Sequence, residues 1–150
     1  MGLKKIKKRS SEDLKMSNCV FCSIIQKEIP TQIVYEDSFS LAFLDIHPAS
    51  KGHTLVIPKN HYEFLSQIPE HEYIAFMKTL QKIAKGMMHY TEGINILQNN
   101  GKDAGQLVPH VHFHIIPRRP GDGIKIETWR TQHDPDLDKV QKTIQSLLKD

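Results

Sequence analysis

Long apolar runs are missing. The longest hold only four or five residues, so no segment reads as a membrane span. The first thirty residues open with charge and contain no apolar stretch of the kind a secretory leader needs. Met1-Gly2 lacks the downstream Ser or Thr of a myristoylation site. Cysteine is scarce, with two in 150 residues, too few for a disulfide framework. No internal repeat or low-complexity stretch interrupts the chain. A composition of 39% hydrophobic and 25% charged residues excludes a disordered, collagen-like or coiled-coil protein. These absences leave one soluble domain, expected in the cytoplasm.

Charge is present but unevenly placed. Residues 1–15 carry Lys4, Lys5, Lys7, Lys8, Arg9 and Lys15 against Glu12 and Asp13, a net of +4, while the remaining 135 residues net −1. Residues 1–16 are therefore expected to form a basic, flexible extension, and residues 17–150 the folded domain. Such an arm could touch nucleic acid. No aromatic residue interleaves its lysines, however, so a nucleic-acid partner is not expected.

The folded part reads as α+β. A short helix is expected over 22–28, stopping before Pro30. Ile33-Val34-Tyr35 and Leu41-Ala42-Phe43-Leu44 flank Asp37-Ser38 as a hairpin, and residues 53–57 form a further strand. After Pro69, expected at the first helical position, Tyr73, Met77, Leu80, Ala84 and Met87 recur at helical spacing, with Gly93 as the stop. Residues 94–97 and 108–117 are strands. Asp134-Pro135 opens a closing helix with Leu137, Val140, Ile144, Leu147 and Leu148 on one face. Hairpin-linked strands with one long inserted helix favour an antiparallel sheet.

His110-Val111-His112-Phe113-His114 is the informative segment. In a strand its three imidazoles share one face, while Val111, Phe113 and Ile115 turn to the other. Two chemistries suit that face. One is metal binding through imidazole nitrogen; the other is nucleophilic attack at phosphorus, with one ring attacking and a neighbour supplying a proton. The upstream loop from Asn99 to Leu107 contains Gly101 and Gly105 and could turn backbone N–H groups toward an anion. Cys19-x-x-Cys22 reads as metal or redox chemistry, with inert free thiols as the alternative; a thioredoxin-like role lacks its βαβ setting.

These residues resemble the histidine triad (HIT) family of nucleotide hydrolases and transferases. The match runs from Cys19-Val20-Phe21-Cys22 through Leu41 to Ile46, Gly52 to His61 and Gly105 to Arg118, about residues 18–119. Gly121-Asp122-Gly123 to Trp129 resembles the prokaryotic-type, zinc-binding branch. The resemblance implies a five-stranded antiparallel sheet with one long inserted helix and a C-terminal helix. It also implies a homodimer joined through that long helix and an edge strand.

By the same resemblance, His112 is the nucleophile that forms a transient nucleotidyl-histidine, oriented by His114 and His53. Asn99, Gly105, Gln106 and the Leu107 backbone line the phosphate side. Asp45 and Ile46 hold the ribose, and Phe21, Ile25 and Phe43 form the purine slot. Cys19, Cys22, His61 and His110 bind one structural zinc ion, and none is needed for the chemistry. The implied substrate is a nucleoside 5′-phosphoramidate, with a dinucleoside polyphosphate as the alternative. A reading of another class is a non-catalytic nucleotide- or zinc-binding module. Position 107 commonly carries Ser or Thr in the family; Leu107 keeps the N–H and loses the hydroxyl.

Overall fold

The computed structural model describes residues 10, 11, 16, 18–131 and 136–149. Apart from 10, 11 and 16, the expected basic extension over 1–16 lies outside the described residues, as does Asp134-Pro135.

Asp37 makes the first hairpin. Its Oδ1 accepts the N–H groups of Phe39 (2.9 Å) and Ser40 (2.8 Å), closing a side-chain turn between β1 (Ile33–Glu36) and β2 (Ser40–Leu44). β3 (Thr54–Pro58) pairs antiparallel with β2, then β5 (Phe113–Arg118) with β3 and β4 (Gly93–Gln98) with β5. The result is the expected five-stranded antiparallel sheet, in the order β1-β2-β3-β5-β4. A short helix α1 (Val20–Ile25) precedes it. It starts and ends earlier than expected, because the chain reverses at Lys27, whose φ is +62°.

The helix α2 (Glu70–Tyr90) fills the crossover between β3 and β4. Glu70 and Glu72 sit in its first turn, where the dipole favours acids. Pro69 is the residue before the helix rather than its first member, and Gly93 opens β4 instead of stopping α2, which Thr91 caps through its N–H to the Met87 carbonyl. Phe76, Leu80, Ile83 and Met87 face the sheet and bury against Val56, Val111, Phe113 and Ile115. Full burial of each such side chain is worth about 1.5–3 kcal/mol. The closing helix α3 (Leu137–Leu147) adds Val140 and Ile144 to this layer. Asp136 caps it, its carboxylate accepting the Lys139 N–H. Gly86 lets α3 approach: a Cβ there would meet the Leu148 side chain and lie 3.1 Å from the Leu147 carbonyl.

A second apolar cluster lies on the opposite face of the sheet, where Phe21, Ile24, Leu41, Phe43, Leu55 and Ile57 pack with Cys19 and Cys22. β5 therefore separates two layers, with Phe113 and Ile115 toward α2 and His114 toward α1. The strand expected over 108–117 begins only at Phe113. Pro109 has no N–H to give, the His110 N–H goes to Val108 O (2.8 Å), and the Val111 N–H goes to Tyr62 O (2.7 Å). Those N–H groups are satisfied outside the sheet, so residues 108–112 stay out of the ladder. Among the described residues no helix is long and apolar enough to cross a membrane.

Candidate active site and metal centre

An open cavity of about 1010 Å³ lies on the α1 side of the sheet. Phe21 and Phe43 form one wall, their rings edge to face at 5.6 Å. His112 and His114 form the floor, 5.1 Å apart between ring centroids. Phe21 also packs edge-on against His112 at 5.2 Å.

The hydrogen bonds assign the tautomers, because each neutral imidazole has one donor and one acceptor nitrogen. His112 Nδ1 lies 2.7 Å from the His110 carbonyl oxygen and must donate to it. Its Nε2 is left as a bare lone pair. His53 Nδ1 accepts the Ala49 N–H at 2.9 Å, so its proton sits on Nε2. That proton is donated to His114 Nδ1, 2.9 Å away, which puts the His114 proton on Nε2. A nitrogen lone pair on His112, just before β5, and an N–H donor on His114, within it, thus stand side by side. Burial pushes His53 down to about 4 and His114 down to about 3, the latter helped by the neighbouring charges of His53 and His112. Burial also lowers His112. All three rings are neutral at pH 7.

Asp45, His53 and His114 bring potential ligand atoms within 4.8 Å of one another. The proton shared by His53 and His114 already occupies the facing lone pair, so this trio is a relay rather than a metal cage. Asp45 Oδ1 accepts the His47 N–H (2.8 Å), and its Oδ2 lies 3.6 Å from His53 Nε2.

Asn99, Gly105 and Leu107 line the cavity beside the histidines, and Leu107 is 92% exposed at its mouth. Gly105 has φ +87° and closes the turn over Lys102–Ala104. Two expected residues lie elsewhere. Gln106 is buried, accepting the Gly101 N–H (2.7 Å) and donating to the Glu63 carbonyl (2.8 Å), so it shapes the loop instead of facing the phosphate side. Ile25 packs against the second apolar cluster, and its neighbour Ile24 takes the cavity position with Val20. Ile46 stands at the rim, 67% exposed.

Beneath Phe21 the four expected metal ligands converge. One ligand atom each from Cys19, Cys22, His61 and His110 lies within 4.8 Å of all the others. Cys22 Sγ is 3.3 Å from His61 Nδ1, and Cys19 Sγ is 3.5 Å from His110 Nδ1. These are the edge lengths of a tetrahedron with sulfur about 2.3 Å and nitrogen about 2.0 Å from a central zinc ion. His110 Nε2 donates to the Pro58 carbonyl at 2.8 Å, which leaves Nδ1 as a lone pair aimed at the sulfurs. Burial, with the Cys19 sulfur alongside, pushes the Cys22 thiol up to about 12. Two thiolates here therefore call for a cation, and the donor set fits zinc.

Sequence reasoning missed one side of the cavity. Ile126 to Trp129 and Thr131 fold over it, and Trp129 packs against His53 and His114. The signals available were the chain's single tryptophan, placed in an aperiodic stretch, and the resemblance of Gly121 to Trp129 to the prokaryotic-type branch, neither of which says where the segment folds.

Residues 26–121 match the model of the HIT domain. The chain belongs to the HIT family. An uncharacterized HIT-like protein of Methanocaldococcus jannaschii is 50% identical over 127 residues, covering 84% of this chain and 98% of that one. The adenosine 5′-monophosphoramidase HNT1 of Saccharomyces cerevisiae is 45% identical, covering 87% and 80%. The crystal structure of a Zn-bound histidine triad family protein from Mycobacterium smegmatis superposes with a TM-score of 0.78 at 39% identity, covering 89% of this chain and 94% of that one. The HIT fold and its antiparallel sheet are thus shared with solved relatives.

Proposed function

We propose that this HIT protein hydrolyses nucleoside 5′-phosphoramidates or related purine nucleotide conjugates at the α-phosphorus. The observation that carries the reading is the pair of tautomers at the start of β5, with a lone pair on His112 Nε2, just before the strand, beside an N–H on His114 Nε2 within it. His112 Nε2 attacks phosphorus and forms a nucleotidyl-histidine as the P–N bond to the leaving amine breaks. The His114 N–H binds the phosphoryl oxygens and hands its proton to that amine. Water then cleaves the phosphorus–His112 bond, adds its hydroxyl to phosphorus and returns a proton to His114, releasing the nucleoside monophosphate. His53 sets the donor tautomer of His114 before attack and again after hydrolysis. Phe21 and Phe43 serve as the purine slot, Asp45 and Ile46 as the ribose side, and Asn99, Gly105 and the Leu107 backbone as the phosphate side.

Cys19, Cys22, His61 and His110 would hold zinc, which would supply charge compensation and a staple between α1 and the histidine segment. With four protein ligands for one structural ion, no step passes through the metal. The chain pairs as a homodimer through β4, one of the two edge strands of the sheet; Ile96 there and Ile74 and Met88 on α2 are each about half exposed.

The cavity lining favours an amine over a polyphosphate as leaving group. It contains Asp45, Asp103 and Glu127 and, among the described residues, no lysine or arginine. A leaving group with several negative charges meets no cation there. The yeast relative's name supports the same order.

The test compares release of adenosine monophosphate from adenosine 5′-phosphoramidate and from diadenosine tetraphosphate. Faster turnover of the phosphoramidate is expected, with a loss of about a thousandfold or more in His112→Ala. Faster turnover of the tetraphosphate reverses the substrate order. Binding without turnover of either favours the non-catalytic module.

A further inference from the structure

The segment after β5 is clamped before it reaches the cavity. Arg118 grips Asp122 with two nitrogens, Nε to Oδ2 at 2.8 Å and Nη2 to Oδ1 at 3.0 Å. It also donates to Asn95 Oδ1 (2.6 Å) on β4 and to the Ile124 carbonyl (3.0 Å). The Asp122 carboxylate in turn accepts the N–H groups of Arg119 and Ile124, each at 3.0 Å. Gly121 (φ +70°) and Gly123 (φ +68°) allow the reversal. From this anchor the chain returns across the α1 side of the sheet. Trp129 then lands edge-on against His114 at 5.5 Å and His53 at 5.8 Å.

The cavity therefore has an aromatic side chain at each end of its histidine pair. Phe21 touches His112, the attacking ring, and Trp129 touches the two rings that share a proton. We propose that Trp129 is a positioning residue of the active site: its indole shields the His53–His114 hydrogen bond from water and holds both rings in the tautomer that keeps the His114 N–H toward the substrate. This rests on the functional reading above, in which His114 is the proton donor. The burial that pushes His53 and His114 well below the ordinary imidazole range is consistent with such a cover. Asp45 and His112 are the titratable groups beside the relay, and His47, Asp103 and Glu127 also line the cavity.

The variants are Trp129→Ala and Trp129→Phe in the full, zinc-loaded chain, assayed with adenosine 5′-phosphoramidate across pH. Trp129→Ala is expected to lower kcat at least tenfold with KM within threefold. The acid limb of its kcat profile should move up by about one pH unit, because wetter rings hold protons more readily. Trp129→Phe should recover kcat to within threefold of the parent. A rise in KM with kcat unchanged, or an unshifted acid limb, would overturn the proposal and make Trp129 a substrate wall.

A second measurement needs no turnover. Trp129 is the only tryptophan, and a protonated imidazole in contact quenches indole fluorescence. Emission should fall as pH drops through a midpoint well below 6.5, and that step should vanish in the double variant His53→Gln/His114→Gln, since both rings touch the indole. Emission independent of pH would place the indole off the relay and sink the proposal. A parent protein without turnover would instead sink the functional reading, with the fluorescence step still deciding where Trp129 sits.

Discussion

His53 is the residue on which folding and chemistry meet. It is buried at 1% exposure, accepts one backbone N–H and donates its only proton to His114. Burial holds it at about 4 in the folded chain, against 6.5 when unfolded. The unfolded state therefore takes up the proton first as pH falls. The stability is fully present above about 6.5 and is lost progressively as pH drops toward 4. A gap of this size corresponds to at most on the order of 3 kcal/mol. His53→Gln keeps an acceptor and a donor at the position but cannot titrate. Its melting temperature should fall less steeply than the parent's between pH 6.5 and 4; parallel profiles would show that His53 is not a source of acid sensitivity. At this scale the sequence showed which residues carry chemistry but not how they point. Ile24 and Ile25 are chemically alike, and only the rotation of α1 decides which reaches the cavity. Gln106 could equally have faced a phosphate, had the Gly101 N–H and Glu63 carbonyl not claimed its amide.

Among the elements, α1 has the weakest independent claim to its place. Six residues cannot form a stable helix alone, so α1 depends on Phe21 and Ile24 in the apolar cluster and, on the zinc proposal, on Cys19 and Cys22 as ligands. Strand β4 has the opposite problem, an edge with Ile96 exposed and, among the described residues, no further strand beside it. Native mass spectrometry addresses both. The expected species is twice the chain mass carrying two zinc ions, and Cys22→Ser should lose the metal. A metal-free parent, or a monomer, would contradict the respective proposal. Elements with a strong period were legible in advance: α2 from its apolar spacing, and the first hairpin from Asp37. The start of β5 was not, because its alternating pattern continues back to Val108 while the backbone bonds do not. The return of residues 119–131 was not either, since it depends on Arg118 meeting Asp122 and Asn95 rather than on any periodicity.

Taken as a whole, the molecule divides its work between the two faces of one sheet. The α2 and α3 side is apolar packing. The α1 side holds a Cys/His cluster fit for a metal, a histidine floor and an aromatic wall. His110 joins the last three, with its ring in that cluster and its carbonyl fixing the His112 proton. The function claimed for this arrangement comes down to a covalent bond at His112 Nε2. Rapid acid-free quenching during turnover of adenosine 5′-phosphoramidate, followed by intact-mass and peptide mapping, tests it directly. The account predicts an acid-labile adenylyl group on the peptide containing His112, absent from His112→Ala. An adduct that persists in His112→Ala, or adenosine monophosphate accumulating with His112 never modified, would contradict it.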